Sequence, residues 1–530
     1  MKRISEKSLV RNGKDAPPET NRAARAAVLA QTRDLIALAL TQAREGATFE
    51  VFEKGLFDHI VALARAVIVL FLVASEERIR GGLGMRVVRE GREFRRAPMQ
   101  RRNLLTWFGV VRYARTYLRE IVKRGQPARG FHPLDAELGL MADRISPNVL
   151  SVATRLSTRV SFAEAHDMLG WFLPVAPSTE VVEAAVLGYG GRTQEWFEQA
   201  PAPDDDGEVP IIQCDSKGVP TATNEELLKR RGKRGRRKKA PSPRHRGRLA
   251  RVRRTKKPRR AKGDKAKNAK MGTMVVMYTL RRQTSGELLL GPINKWYYAS
   301  FAPKRHAVEI ARKEATKRGF PPGTKRVVQV VTDGDNDLAR YFAELFPDAT
   351  RTIDVMHVVE KLWAAGSSVH REGSDEHRAW VERQKDALYA GHAAAIVAEL
   401  DQQLARISRT GPGNKFRREK LAEIRSYIEK RINHMTYDDL RRQDLELGSG
   451  AVEGAIKNLM GRRMDHGGMR WIKERAEALL QLRCIDANGD WEAFVGRVHA
   501  MMRRAAVTRG ARPRLQQRVA LPLPTIAEAA

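Results

Sequence analysis

The chain has 530 residues, 42% of them hydrophobic, and its 97 Lys+Arg against 62 Asp+Glu give a formal net charge of +35. That length fits about three domains, and the surplus points to a polyanionic partner, nucleic acid first. Two cysteines, Cys214 and Cys484, exclude a disulfide framework and a cysteine-built zinc site. The longest apolar run, Ala66 to Ala74, falls short of the ~20 residues a bilayer span needs, and the N-terminus lacks the apolar core of a signal peptide. The expectation is a soluble cytoplasmic protein with no membrane partner.

Residues 1–22 read as a flexible lead, and 23–200 as a mostly helical N-terminal region. Leu35, Leu38 and Ala39, then Ile60, Leu63, Ala64, Ile68 and Phe71, recur at helical spacing. A basic stretch from Arg86 to Arg102 follows. Leu104–Leu118 fits a strand pair or a helix equally. Within 145–190 three short helical patterns are predicted: Pro147–Leu156, one opening after the N-cap Ser161, and one opening at Ser178. Together they resemble a helix-turn-helix with the Ser178 helix in the reading position, although that helix carries few base-reading side chains. An ordinary helical bundle accounts for the same pattern.

A Pro/Asp linker at 200–209 marks a boundary, and strand patterns follow it. Val209–Cys214, Thr273–Leu280 and Glu287–Phe301 come first. A helix over Pro303–Arg318, a nearly all-apolar strand over Arg326–Thr332, a helix through Leu338–Leu345, a strand at Ala349–Ile353 and a helix from Val355 to Trp363 complete the series. The order β-β-β-α-β-α-β-α is that of a ribonuclease-H-like mixed sheet, here over 205–365. Residues 366–445 read as an all-α insertion domain, 446–500 as the end of the core and 501–530 as a loose tail.

The excess charge is concentrated in an insertion over 226–270. Between Lys229 and Lys270 lie 23 Lys/Arg in 42 residues and one acid, Asp264. Such a run repels itself, is expected to be disordered in isolation, and suits phosphate neutralisation without sequence preference. Arg236, Arg237, Lys238, Lys239, Arg253, Arg254, Arg259 and Arg260 are its candidate contacts.

Three acids stand out by position. Asp215 ends the first apolar strand in IIQCDSKG, Asp333 ends the buried strand in VVQVVTDGD, and Glu453 lies in the first turn of a helix capped by Ser449. Ligand sites in open α/β sheets gather at strand carboxyl ends, so adjacent first and fourth strands would set Asp215 beside Asp333. Close carboxylates repel, and a divalent cation relieves this. Mg²⁺ (or Mn²⁺) takes oxygen ligands, and two ions can serve an in-line phosphoryl displacement. Singly, each acid is also a common turn, cap or helix-dipole residue. Asp335 and Asp337 read as cap and turn groups, and Glu446 is the second choice for the third acid. Asp354 and His357 follow the next strand. There His357 either holds a water or the scissile phosphate, or merely ties down Asp354. Arg462, Arg463, Arg470 and Trp471, just beyond Glu453, suit phosphate contact and base stacking, or else surface charge and core packing.

TDGD, FPDATRTIDVMHVVEKLW and GSGAVEGAIKNLMGRRMDHGGMRW, in that order over roughly 205–500, resemble bacterial insertion-sequence transposases of the ISKra type, DDE enzymes with a Mutator-like layout. The resemblance implies a ribonuclease-H-like core with a helical insertion before the last acid. It matches Asp215, Asp333 and Glu453 to the family's acids and Asp354/His357 to its Asp-x-x-His motif. It also implies metal-dependent cleavage of double-stranded DNA at element ends, attack of the freed 3′-hydroxyl on target DNA, and a homodimer in the synaptic complex. The basic insertion departs from the pattern. Two other classes remain open: a non-catalytic DNA-binding or architectural protein, and a ribonuclease-H-fold nuclease that cuts without joining.

Overall fold

The computed structural model describes residues 20–226, 269–283 and 289–509, apart from positions 90, 124, 127, 141–143 and 467. It is an α/β protein with two sheets and two compact units. The eight basic residues singled out between 236 and 260 lie outside the described residues.

The first unit combines residues 20–193 with the helix Trp491–Arg509. It opens with a helical hairpin, α1 (Asn21–Glu45) and α2 (Phe49–Gly81). Thr20 caps α1 by accepting from Ala23 N, and Gly46 ends it at φ 66°, the left-handed conformation glycine tolerates. By length and composition α2 qualifies as a bilayer span, a test the Ala66–Ala74 run alone does not meet, and only 17% of its most apolar window is buried. It is the one such helix among the described residues.

Four strands lie between Arg86 and Phe131, so the N-terminal region is less helical than expected. β1 (Arg86–Arg89), β2 (Arg92–Thr106), β3 (Gly109–Glu120) and β4 (Gly130–Phe131) form an antiparallel sheet in that order. The deciding signal is the period-2 alternation of buried and half-buried residues in β3, which a helix cannot satisfy. Leu104, Val111 and Tyr113 from this sheet, Leu72 of α2 and Leu134 make one buried cluster. Glu76 on α2 is buried among them and accepts from Thr116 N at 2.7 Å, while burial raises its carboxyl above the usual range.

The three predicted short helices exist as Pro147–Arg159, Phe162–Phe172 and Thr179–Gly190, the second with a full capping box between Ser161 and Glu164. The third does not suit base reading. It buries Val182, Ala185, Val186, Gly188, Tyr189 and Gly190, its only fully exposed residue is Glu180, and it has no Arg, Lys, Asn or Gln. The bundle reading accounts for it. Trp491, 1% exposed, donates to Ser151 Oγ at 3.2 Å, and Tyr189 pairs with His499 at 2.7 Å. The strand-built unit expected to end near 500 therefore stops at Asn488, and 501–509 continues a helix rather than a loose tail.

The second unit, residues 194–488, is built on five strands: β5 (Val209–Pro220), β6 (Ala269–Arg282), β7 (Leu289–Ser300), β8 (Gln329–Thr332) and β9 (Thr350–Ile353). Their spatial order is β7-β6-β5-β8-β9. β5, β6 and β7 are antiparallel neighbours, and β8 and β9 run parallel to β5. Val209–Cys214 and all of β8 are buried, as central strands covered on both faces must be. Pro220 pairs with Ala269 and Val219 with Lys270, so the insertion begins and ends at one hairpin tip and Lys270 is a strand residue. Helices Lys304–Lys317, Asn336–Leu345 and Val355–Val369 follow β7, β8 and β9. Asp375–Tyr389, Ala393–Arg406, Asn414–Glu429 and Tyr437–Arg442 make up the helical insertion before Glu453.

Candidate metal centre at the strand carboxyl ends

The parallel register fixes the acids. Cys214 pairs with Thr332, and Thr332 with Ile353. Asp215, Asp333 and Asp354 each follow the last parallel rung by one residue, so they stand side by side where that pairing ends; β8 and β9 stop there, whereas β5 runs on to Pro220 against β6, so Asp215 is a mid-strand residue and not the strand end expected. Asp215 and Asp333 are half-buried.

Glu453 reaches the same edge because two strand glutamines hold its segment down. Gln213, 1% exposed in β5, donates to Gly448 O at 3.2 Å and accepts from Val452 N at 3.0 Å. Gln329, fully buried in β8, donates to Glu446 O at 2.7 Å and accepts from Glu446 N at 3.0 Å. Strand side chains alternate with period 2, so Gln213 shares a face with Asp215, and Gln329 with Asp333. The helix Gly450–Ala455 then carries Glu453, and a π-helical turn, Ile456–Gly461, continues it. Arg483 secures that turn by donating to Leu459 O and Asn458 O, each at 2.7 Å. Asp215 and Glu453 line one open pocket of about 420 Å³, with Lys217, Lys457, Arg462 and His466 around them.

The tightest metal-type group among the described residues is Asp354, His357 and Glu453, whose ligand atoms lie within 4.8 Å of one another. It differs from the expected set of Asp215, Asp333 and Glu453. The oxygens of Asp354 are already committed: Oδ1 accepts from Met356 N at 2.7 Å, and Oδ2 from Ser449 N at 3.1 Å and from Ser449 Oγ. Burial opposes its charge, but bonds from His357, Ser449 and Met356 prevail and hold the carboxyl down to about 2. His357 Nδ1 sits 3.3 Å from Asp354 Oδ2, and that contact raises the imidazole to about 9 against a smaller burial effect. The buried Asp354 carboxylate thus anchors the half-buried His357 at the site. Ser449 does not cap its helix with its side chain; it joins Asp354 instead.

Burial raises the Asp215 carboxyl above its ordinary range, and the fields of Asp333 and Glu453 raise it further, against the bond from Ser216 N and the charge of His357. This mutual repulsion is what an added cation relieves. Asp333 Oδ1 accepts from Asp335 N at 2.9 Å, and Asp335 caps the next helix by accepting from Asp337 N and Leu338 N. The helical insertion grips the same loop: Tyr427 donates to Asp333 O at 2.7 Å and Arg431 to Gly334 O at 2.6 Å. Gly334 has φ 85°, and a Cβ there would lie 2.5 Å from Tyr427 Oη.

Glu446 is occupied by Tyr278, which donates to it at 2.8 Å. Trp471 is 8% exposed, its Nε1 donates to Met464 O at 3.1 Å, and Arg463, 3% exposed, stacks on its ring at 4.9 Å. Both are packing residues, whereas Arg462 is exposed at the pocket and Arg470 is half-buried. Gln213 and Gln329 escaped notice in the sequence. Their signal is a lone amide in an otherwise apolar strand, on the same face as an acid at its end. Gln329→Leu should lower the urea midpoint by the equivalent of about 1–3 kcal/mol, because the Glu446 amide and carbonyl lose their partner.

Neither any protein-family model nor any curated protein matches this chain.

Proposed function

We propose that the chain is the DNA transposase of a bacterial insertion sequence, a DDE enzyme of the ISKra type with a ribonuclease-H-like core. The observation that carries this reading is the placement of Asp215 and Asp333 one residue beyond the last parallel rung of adjacent strands, with Glu453 lining the same pocket as Asp215. The strand order β7-β6-β5-β8-β9, with a helical insertion before the last acid, supports it. Asp215, Asp333 and Glu453 offer only carboxylate oxygens, the donor set that hard divalent cations prefer. Magnesium held there would neutralise charge at a phosphodiester undergoing in-line displacement. Asp354 fixes His357, and Lys217, Lys457 and Arg462 line the approach for a polyanionic strand. Double-stranded DNA is the substrate, and a homodimer would hold two element ends.

The test is a supercoiled plasmid carrying the DNA that flanks the gene, incubated with the purified chain and Mg²⁺. The expected products are nicks with free 3′-hydroxyls at the element ends, followed by joined strands. Binding without any cut would overturn the enzyme reading in favour of an architectural protein. Cutting without joining would leave a nuclease.

A further inference from the structure

The N-terminal sheet carries a row of arginines that the proposed chemistry does not use. Arg86 in β1 pairs with Arg95 in β2, and Arg95 pairs with Arg119 in β3, so one line across three strands holds three guanidinium groups. All three residues are exposed. The line continues to Gly130 in β4, beside exposed Arg129. Arg86 meets Glu93 at 3.1 Å, with 73% of the Arg86 side chain still exposed.

Like charges directly opposite one another weaken a sheet, and an opposite charge at the middle position would strengthen it. Arg95 stands between two arginines instead. The arrangement therefore costs folding free energy and favours a bound anion. Neighbouring strands lie about 4.8 Å apart, so the row spans roughly 10 Å, a reach matched to successive phosphates along a nucleic-acid backbone. Arginine also binds phosphate through paired N–H donors. The helix Thr179–Gly190 of this unit exposes only Glu180 and has no Lys or Arg to offer a phosphate backbone.

We infer that Arg86, Arg95 and Arg119 form a contact surface for the phosphate backbone of duplex DNA, separate from the carboxylate site and from the basic insertion. The inference rests on the transposase reading only for the choice of DNA as the polyanion. The row positions the duplex and carries no sequence preference.

The test measures binding of the full chain to a fluorescent duplex of arbitrary sequence over a salt series. The variant is Arg86→Gln/Arg95→Gln/Arg119→Gln, and the control is Arg22→Gln/Arg25→Gln/Arg33→Gln on the exposed surface of α1. Three lost phosphate contacts should flatten the log–log salt slope by about 2–3, with the control closer to wild type. The row variant should keep a cooperative melt, since the three side chains are exposed and the lost Arg86–Glu93 pair is offset by the lost repulsion. An unchanged slope, or an equal loss in the control, overturns the inference while leaving plasmid cleavage, and hence the functional reading, intact. A wild-type chain that binds no duplex at all overturns both.

Discussion

Asp215→Asn should reduce Mg²⁺-dependent nicking by about a thousand-fold or more, because Lewis-acid stabilisation of the displaced phosphate is worth several kcal/mol. The substitution keeps the side chain's shape and an oxygen that can accept from Ser216 N, and it removes one of the three carboxylate charges whose fields meet here. The folded chain should therefore persist, with unchanged circular dichroism and unchanged affinity for duplex DNA. Asp333→Asn should behave alike, since it occupies the equivalent position on the adjacent parallel strand. Wild-type nicking rates in Asp215→Asn would remove this carboxylate from the site and the reading built on it.

Replacing residues 227–268 with a short Gly/Ser linker should lower affinity for duplex DNA by about a hundred-fold or more at physiological salt and flatten its salt dependence. The segment carries 22 Lys/Arg and one acid. Its removal should leave the fold alone, because Pro220 and Ala269 are paired neighbours that a short loop can join, and the excision spares Lys270, which belongs to β6. Retained affinity and salt slope would mean the insertion does not touch phosphate. Loss of the cooperative melt would mean it contributes to the fold.

The strand-and-helix order of 209–369 was legible because apolar runs bounded by turns identify buried strands, and three acids at element ends mark one edge. What defeated the reading lay in partners distant in sequence. Arg86 to Arg102 was legible only as a basic stretch, since strands so rich in arginine carry no apolar signature. The role of Asp354 depends on Ser449, 95 residues away. For Trp471 base stacking and core packing were equally open, and only the fold decides for packing, with Met464 O accepting from its Nε1 and Arg463 on its ring. The Ser178 pattern gave the right helix but not its surroundings, which bury the face a reading helix would present.

The return of Trp491–Arg509 to the first unit has a consequence for biosynthesis. At roughly 5–20 residues per second, about 300 residues and some 15–60 seconds of translation separate Arg192 from Trp491. The N-terminal bundle therefore emerges from the ribosome lacking a buried tryptophan of its own interior, and the strand-built unit can finish first. The first unit is thus completed only after the whole of the second has been made.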